Sequence, residues 1–292
     1  MAAATDVIKP LLERLDLERI DRDLFRGLSP DDGRPRVFGG QVAAQALVAA
    51  VRTVDERKVH SLHAYFLRPG DPKIPILYEV ERIRDGKSFT TRRVVAIQEG
   101  EAIFSMSASF QRDEEGLSHQ VPMPQAAPPE SVPSTDELIA RAAKESNHPV
   151  FRFLERLERP IEVHDLDPSD PRRPEKRTGE HLVWFRARGE LPDDPLLHQC
   201  VLTYASDLTL LDASLRQHAR TWFDPSLQVA SLDHAIWFHR PFRADRWLLY
   251  VTESPTTAGA RGLNFGRVYT QDGTLVATVA QENLMRVVPR TP

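Results

Sequence analysis

Asp207 is a carboxylate in apolar company. If Leu196 to Arg216 forms one helix, a turn of about 100° per residue puts Cys200, Tyr204, Asp207 and Leu211 in a narrow sector, so the acid shares the apolar stripe. Asp212 points well away from it. An acid taken out of water needs hydrogen-bond partners, a raised pKa or both. It is then either a base poised for proton transfer or a buried cap on a neighbouring backbone segment. Gln281 poses the same choice, because it follows the apolar run Val276-Ala277-Thr278-Val279-Ala280. Ser231 opens a strand-like stretch, where a serine is ordinarily a turn or surface residue.

Other reactive types are weaker candidates. Cys200 could be a nucleophile, but a lone cysteine on a buried helix face is more often an inert core thiol. His60 and His63 give a poor metal spacing on a predicted strand. Gly86-Lys87-Ser88 resembles the tail of a phosphate-binding loop, yet the position of its first glycine holds Glu81. Neither Gly-x-Ser-x-Gly nor Gly-x-Gly-x-x-Gly occurs, which removes the support for a hydrolase elbow and for a dinucleotide fingerprint.

Two near-copies organise the elements that must position these groups. Ser61-Leu62-His63-Ala64-Tyr65-Phe66-Leu67-Arg68-Pro69 and Ser231-Leu232-Asp233-His234-Ala235-Ile236-Trp237-Phe238-His239-Arg240-Pro241 both read as buried strands closed by proline. Their separation of about 170 residues suits two copies of one domain. Before the first copy, Val7 to Ile20 has helical spacing, Asp21 to Arg26 leads into a strand, and Ser29 to Arg36 is a polar loop. Gly39 to Val51 is a helix of small residues fit for close packing. After it come strands at Ile74 to Ile83, Thr90 to Gln98 and Ala102 to Phe110, with hairpin turns at Asp85-Gly86 and Glu99-Gly100. Five prolines between Pro122 and Pro133 make Asp113 to Ser134 an extended linker. A short helix at Thr135 to Lys144, an apolar stretch at Val150 to Leu157 and strands at Ile161 to Val163 and His181 to Arg188 follow. The order then repeats with the long helix, the second marker strand, Trp247 to Glu253, Gly262 to Tyr269 and Leu275 to Arg286. We divide the chain into a first domain, 1–112, a proline-rich linker with a short helix, 113–149, and a second domain, 150–292. Hairpin connections make the sheets antiparallel and the class α+β.

Composition narrows the partners. Among 292 residues, Lys plus Arg is 38 against 42 for Asp plus Glu, a net charge of −4 without a basic run, which argues against nucleic acid. One cysteine excludes an internal disulfide framework and fits a reducing cytoplasm. No apolar run is long enough for a membrane span, Met1 to Asp6 lacks signal-peptide character, and Val288 to Pro292 carries no Ser-Lys-Leu address. The expectation is a cytoplasmic protein that binds neither membrane nor nucleic acid.

Setting Gln41 on Gln199 aligns Asp207 with Ala49, and setting Gly100 on Gly273 aligns Gln281 with Ala108. The second copy thus holds an acid and an amide where the first holds alanine, the pattern of one active site on a duplicated scaffold. Val37-Phe38-Gly39-Gly40-Gln41, His60 to Asp71, Tyr204-Ala205-Ser206-Asp207-Leu208 and Asp233 to Phe242 resemble the acyl-CoA thioesterase II family, over nearly the whole chain. The resemblance implies a double hotdog fold, two antiparallel sheets each wrapped around a central helix, and a homo-oligomer formed through them. It implies hydrolysis of acyl-CoA to acid and CoA, with Asp207, Ser231 and Gln281 holding and activating a water and with no metal or other cofactor. Ser231 departs from the threonine common in relatives by one methyl group. Gly39, Gly40 and Gln41, at a helix start with free N–H groups, are candidate oxyanion donors; an equal alternative is a tight turn followed by close helix packing. His63 is a candidate substrate contact, although its recurrence as His234 points to a structural role in both copies. Arg68 and Arg240 could meet CoA phosphates or simply close their strands. The rival functions are a hotdog hydratase or dehydratase, for which the Asp-x-Asn-Pro-x-His pattern is missing, and a non-catalytic acyl-CoA binding protein.

Overall fold

The computed structural model describes residues 5–30 and 32–288. The readings of the extreme termini fall mainly on residues 1–4 and 289–292, outside the described residues. The first half runs α1 (Thr5–Leu15), β1 (Glu18–Asp21), β2 (Leu24–Gly27), α2 (Gly39–Val51), β3 (Lys58–Phe66), β4 (Ile76–Asp85), β5 (Phe89–Gln98) and β6 (Glu101–Gln111). The short helices α3 (Thr135–Glu145) and α4 (Pro149–Arg156) follow. The second half runs β7 (Ile161–Asp165), β8 (His181–Ala187), α5 (Pro195–Ser206), α6 (Asp212–Leu215), β9 (Leu227–Ser231), β10 (Asp233–Phe238), β11 (Leu248–Ala258), β12 (Arg261–Thr270) and β13 (Leu275–Val287).

The two expected sheets are one. In hydrogen-bonded order the strands run β1-β2-β4-β5-β6-β3-β10-β13-β12-β11-β8-β7, with β9 pairing on β13. The marker strands make the join: β3 and β10 pair antiparallel, with Leu62 opposite Ile236 and Ala64 opposite His234. Either strand left alone would be a long apolar edge, which a second strand satisfies. Helix α2 is buried from Gly40 to Ala50 and packs on β4, β5 and α5. Its run of glycines and alanines permits that closeness: a Cβ on Gly40 would lie 2.5 Å from the Tyr204 carbonyl oxygen.

The single helix expected over Leu196 to Arg216 breaks at Asp207, the C-cap of α5. Two hydroxyls on its last turns bond backwards, Thr203 Oγ1 to Gln199 O at 2.9 Å and Ser206 Oγ to Thr203 O at 3.0 Å. Such bonds compete with the helical ladder, and an acid at a helix C-terminus opposes the helix dipole. The first helix likewise stops at Leu15, short of the predicted Ile20, where the chain turns into β1.

The proline-rich segment docks on the second half. Gln120 receives the Leu275 N–H at 3.0 Å and donates to Gly273 O at 2.7 Å, and Trp184 Nε1 donates to Ala127 O at 2.8 Å. Among the described residues no helix is long and apolar enough to cross a membrane.

Candidate active site

Asp207 ends α5, Ser231 ends β9, and Gln281 sits in β13. Alternation along β13 turns Gln281 and Asn283 to the buried face. Pairing of β9 with β13 sets Ser231 opposite Asn283. The Ser231 hydroxyl donates to Asp207 Oδ1 at 3.1 Å, and Gln281 Nε2 donates to Ser231 Oγ at 3.0 Å. Gln281 Nε2 also donates to Asn283 Oδ1 at 2.7 Å. Its Oε1 accepts from His234 Nδ1, whose Nε2 lies 2.8 Å from the Ser206 hydroxyl. The structure therefore brings Asp207, Ser231 and Gln281 into one hydrogen-bonded chain, extended by His234 and Ser206.

Burial sets the electrostatics. Asp207 is 8% exposed, and its desolvation pushes the carboxyl above the usual carboxylate range. The charge of His234 when its ring is protonated, the hydrogen bonds of Ser231 and Gln281, and the Gly40 N–H offset only part of that rise. Burial holds the His234 imidazole below its usual range, so near neutral pH the ring is uncharged. Its proton is on Nδ1, because Gln281 Oε1 can only accept, and Nε2 then competes with Thr203 O for the single Ser206 hydroxyl proton. A buried acid of raised pKa beside neutral donors is suited to taking a proton from water and returning it.

The start of α2 reaches this group from the first half. No side chain caps the helix, so its first N–H groups are free of intrahelical partners. A Cβ on Gly39 would lie 2.8 Å from Asp207 Oδ2 and from the Phe66 ring, so only glycine leaves the carboxylate that space. The approach is held by Arg36 Nη2, which donates to Val229 O of β9 at 2.7 Å. The Phe38 ring meets Tyr204 edge-on at 5.1 Å.

Two of the sequence-predicted contacts fall away. Gln41 is engaged elsewhere, its N–H donating to Phe38 O at 3.1 Å and its amide to Leu28 O and Ser29 Oγ at 3.2 Å each. His63 is exposed on the outer face, edge-on to Trp237 at 5.1 Å. The cause is the spacing: the second marker stretch is two residues longer than the first, and counted back from the shared Phe-x-Arg-Pro, His234 takes the place of Leu62 and Ala235 that of His63. Side chains alternate along a strand, so His234 points inward as Leu62 does, while His63, one position on, points out. Arg68 serves Ala102 O and Glu101, and Arg240 serves Leu275 O and the linker at Ser118 and His119. Cys200 is fully buried, which raises its thiol pKa strongly and leaves it inert.

Sequence reasoning missed Asn264, Asn283 and Ser206, and gave His234 only a structural part. The signal for Asn264 was available, since it alternates with Gly262, Gly266 and Val268 on the buried face of β12, the same reasoning that singles out Gln281.

A family model described as acyl-CoA thioesterase matches residues 154–284, and one described as acyl-CoA thioesterase N-terminal domain matches residues 29–111. The chain is 43% identical over 284 residues to acyl-coenzyme A thioesterase 8 of Homo sapiens, covering 94% of this chain and 88% of that protein. It is 46% identical to the acyl-CoA thioesterase II TesB2 of Mycobacterium marinum, whose crystal structure superposes with a TM-score of 0.77 over 96% of this chain and 100% of that one. A conserved protein of Alicyclobacillus acidocaldarius described as having a hot dog fold, 21% identical, superposes with a TM-score of 0.76 over 96% of this chain and 99% of that one. At that identity the likeness is one of fold, the hotdog. The chain belongs to the acyl-CoA thioesterase family.

Proposed function

We propose that the protein hydrolyses acyl-CoA thioesters to free acid and CoA, with Asp207 as general base and Ser231 and Gln281 orienting the water. The observation that carries this reading is the directed chain Gln281 Nε2 to Ser231 Oγ to Asp207 Oδ1. Both neutral groups donate along it, so the acid at its end is left as the acceptor. Water gives its proton to Asp207 as its oxygen bonds to the thioester carbon. The tetrahedral intermediate then collapses, the carbon–sulfur bond breaks, and the departing thiolate recovers the proton from Asp207. Base catalysis of this kind contributes about 10²- to 10⁴-fold. The oxyanion takes the N–H of Gly39, beside Gly40, whose N–H serves Asp207, and the bare backbone of both lets the substrate approach. No covalent acyl-enzyme is needed.

The fold is read as a double hotdog, with units 1–112 and 150–292 joined by 113–149, the second unit carrying the reacting groups. The repeated element order and the separate family matches to each half support the division. A homo-oligomer through the outer sheet face is supported by Tyr65, Trp237 and Phe265, which are 63%, 36% and 39% exposed there.

Thiol release from a panel of acyl-CoAs, followed with a thiol reagent, tests the activity. A hydratase or a carrier frees no thiol, and absence of release from every chain length would end the hydrolytic reading. Ser231→Ala, which leaves the base in place, should retain part of the activity; complete loss with an intact fold would point to a serine nucleophile instead.

A further inference from the structure

Asn264 has no exposed surface, and neither its amide nitrogen nor its oxygen has a hydrogen-bond partner among the described residues; the same holds for Asn283 Nδ2. Asn264 lies directly opposite Gln281 across β12 and β13, and Asn283 is two residues further along the same face. Such a pair has Cβ atoms about 5 Å apart, with diagonal neighbours within reach of one small molecule. A buried amide left unpaired is costly, so these three valences are expected to be met by something other than protein.

The first half supplies the contrast. Arg92 lies opposite Ala108 as Asn264 lies opposite Gln281, and Arg92 sits against Thr53, just past the end of α2. Arg92 is 1% exposed and closes its site completely. Its Nε donates to Thr53 Oγ1 at 2.9 Å, Nη2 to Thr53 O at 3.0 Å, and Nη1 to Thr91 O at 3.1 Å. The same position is therefore sealed by the chain in one half and left with open valences in the other, beside Gln281.

We propose that Asn264 is a positioning residue for hydrolysis: with Asn283 it holds one internal water that fixes the direction of the Asn283 amide, and through it that of Gln281. One water accepts from Asn264 Nδ2 and Asn283 Nδ2 and donates to Asn264 Oδ1, about the three hydrogen bonds usual for a buried water. With Nδ2 so engaged, Asn283 Oδ1 must face Gln281 Nε2, as it does at 2.7 Å. Released from the water, the Asn283 amide can turn and set donor against donor. Gln281 would then lose a restraint and Ser231 its steady donor. This rests on the hydrolytic reading above.

The test is Asn264→Leu, close in volume and without valences, measured beside Asp207→Asn. The expected result is a kcat lower by about 10- to 100-fold, as for other supporting residues of a site, with KM within about threefold. The melting temperature should fall only modestly, since the water is lost and Asn283 Nδ2 is left without an acceptor. Asn264→Ala, which leaves room for a further water, should recover part of the loss. Full kcat in Asn264→Leu, or no recovery in Asn264→Ala, overturns the proposal. If Asp207→Asn is inactive in the same assay, that failure leaves the hydrolytic reading intact; if Asp207→Asn is fully active, the hydrolytic reading itself fails. A crystal structure of the unmodified protein that shows waters decides independently. A water within hydrogen-bond distance of both Asn264 amide atoms and Asn283 Nδ2 supports the proposal, and a dry site refutes it.

Discussion

Changing Gly40 to alanine adds one methyl group where the two halves meet, and the loss of activity should exceed what its size suggests. The new Cβ would lie 2.5 Å from the Tyr204 carbonyl oxygen and 2.7 Å from the Phe38 ring. The ring can turn aside, but the carbonyl is fixed in the last turn of α5. An ordinary carbon–oxygen contact is about 3.3 Å, so the first turn of α2 must retreat by about 0.8 Å, the difference between that distance and 2.5 Å. Overpacking of this kind costs about 1–3 kcal/mol of stability. The larger effect is on the site, where a misplacement of about 1 Å costs on the order of 10²-fold in rate. The Gly40 N–H is also one of the groups that lower the Asp207 pKa against burial. Its withdrawal lets that pKa rise further. A base works ionised, so the limb along which activity grows with pH should move to higher pH. The assay is kcat/KM for thiol release from about pH 5 to about pH 9, beside Gly116→Ala, where a Cβ meets nothing within 4 Å among the described residues. A Gly40→Ala enzyme within about threefold of the unmodified kcat/KM, with an unmoved acid limb, would refute the claim that α2 serves Asp207.

Asp207→Asn should lower kcat by about 10²- to 10⁴-fold while the protein becomes no less stable. The folded pKa of Asp207 lies above its unfolded value of 3.8, so its contribution to stability is complete below that pH and lost as pH rises through the folded value. Thermal unfolding should therefore favour the variant at neutral pH and not at about pH 3; a variant less stable at neutral pH contradicts the burial argument. Asp212, which burial pushes up to about 6, follows the same sign. Asp212→Asn should gain about 1–3 kcal/mol in urea unfolding at pH 7 and nothing at pH 3, and equal stability at both would show that Asp212 is not desolvated. Cys200 should stay unlabelled by a thiol reagent until the protein unfolds, because its thiol is fully buried; prompt labelling of the native protein would show an opening near α5.

Much of the scaffold follows from sequence alone, and the departures have physical causes. Alternation and turn signals place the long strands closely, as at β5, predicted over Thr90 to Gln98 and found over Phe89–Gln98. The join of β3 to β10 escapes such reading because pairing between distant strands leaves no trace in either one's period. Asp207 is buried as its apolar stripe implies, but the stripe supposes an unbroken helix. The Thr203 and Ser206 hydroxyls that end α5 are the residues that could have warned of the break. That Ser231 lies beside Asp207 is beyond any periodicity; only the resemblance put the two together. His63 and His234 mislead because motif matching ignores which face a strand position takes: counted from the shared Phe-x-Arg-Pro, His234 stands where the first half has Leu62.

Each half of the chain carries one long helix, α2 or α5, and the two halves differ at both ends of it. Helix α2 begins without a side-chain cap, with Phe38 as its N-cap, the Gly39 N–H open to a ligand and the Gly40 N–H turned to Asp207. Helix α5 begins with Asp194 and Pro195, where the Asp194 side chain takes the Leu196 N–H at 3.0 Å and proline has no N–H to offer. Donors without intrahelical partners thus stand at the start of α2, against the acid that ends α5, while the start of α5 has spent its own. The opposite ends differ in the same sense: Arg92 fills the interior behind the end of α2 with a fully bonded guanidinium, whereas the interior behind the end of α5 holds amides with valences to spare. Each substitution taken singly would leave a half-equipped second site. Taken together they leave one place among the described residues where a buried carboxylate, N–H groups without intrahelical partners and neutral amides coincide.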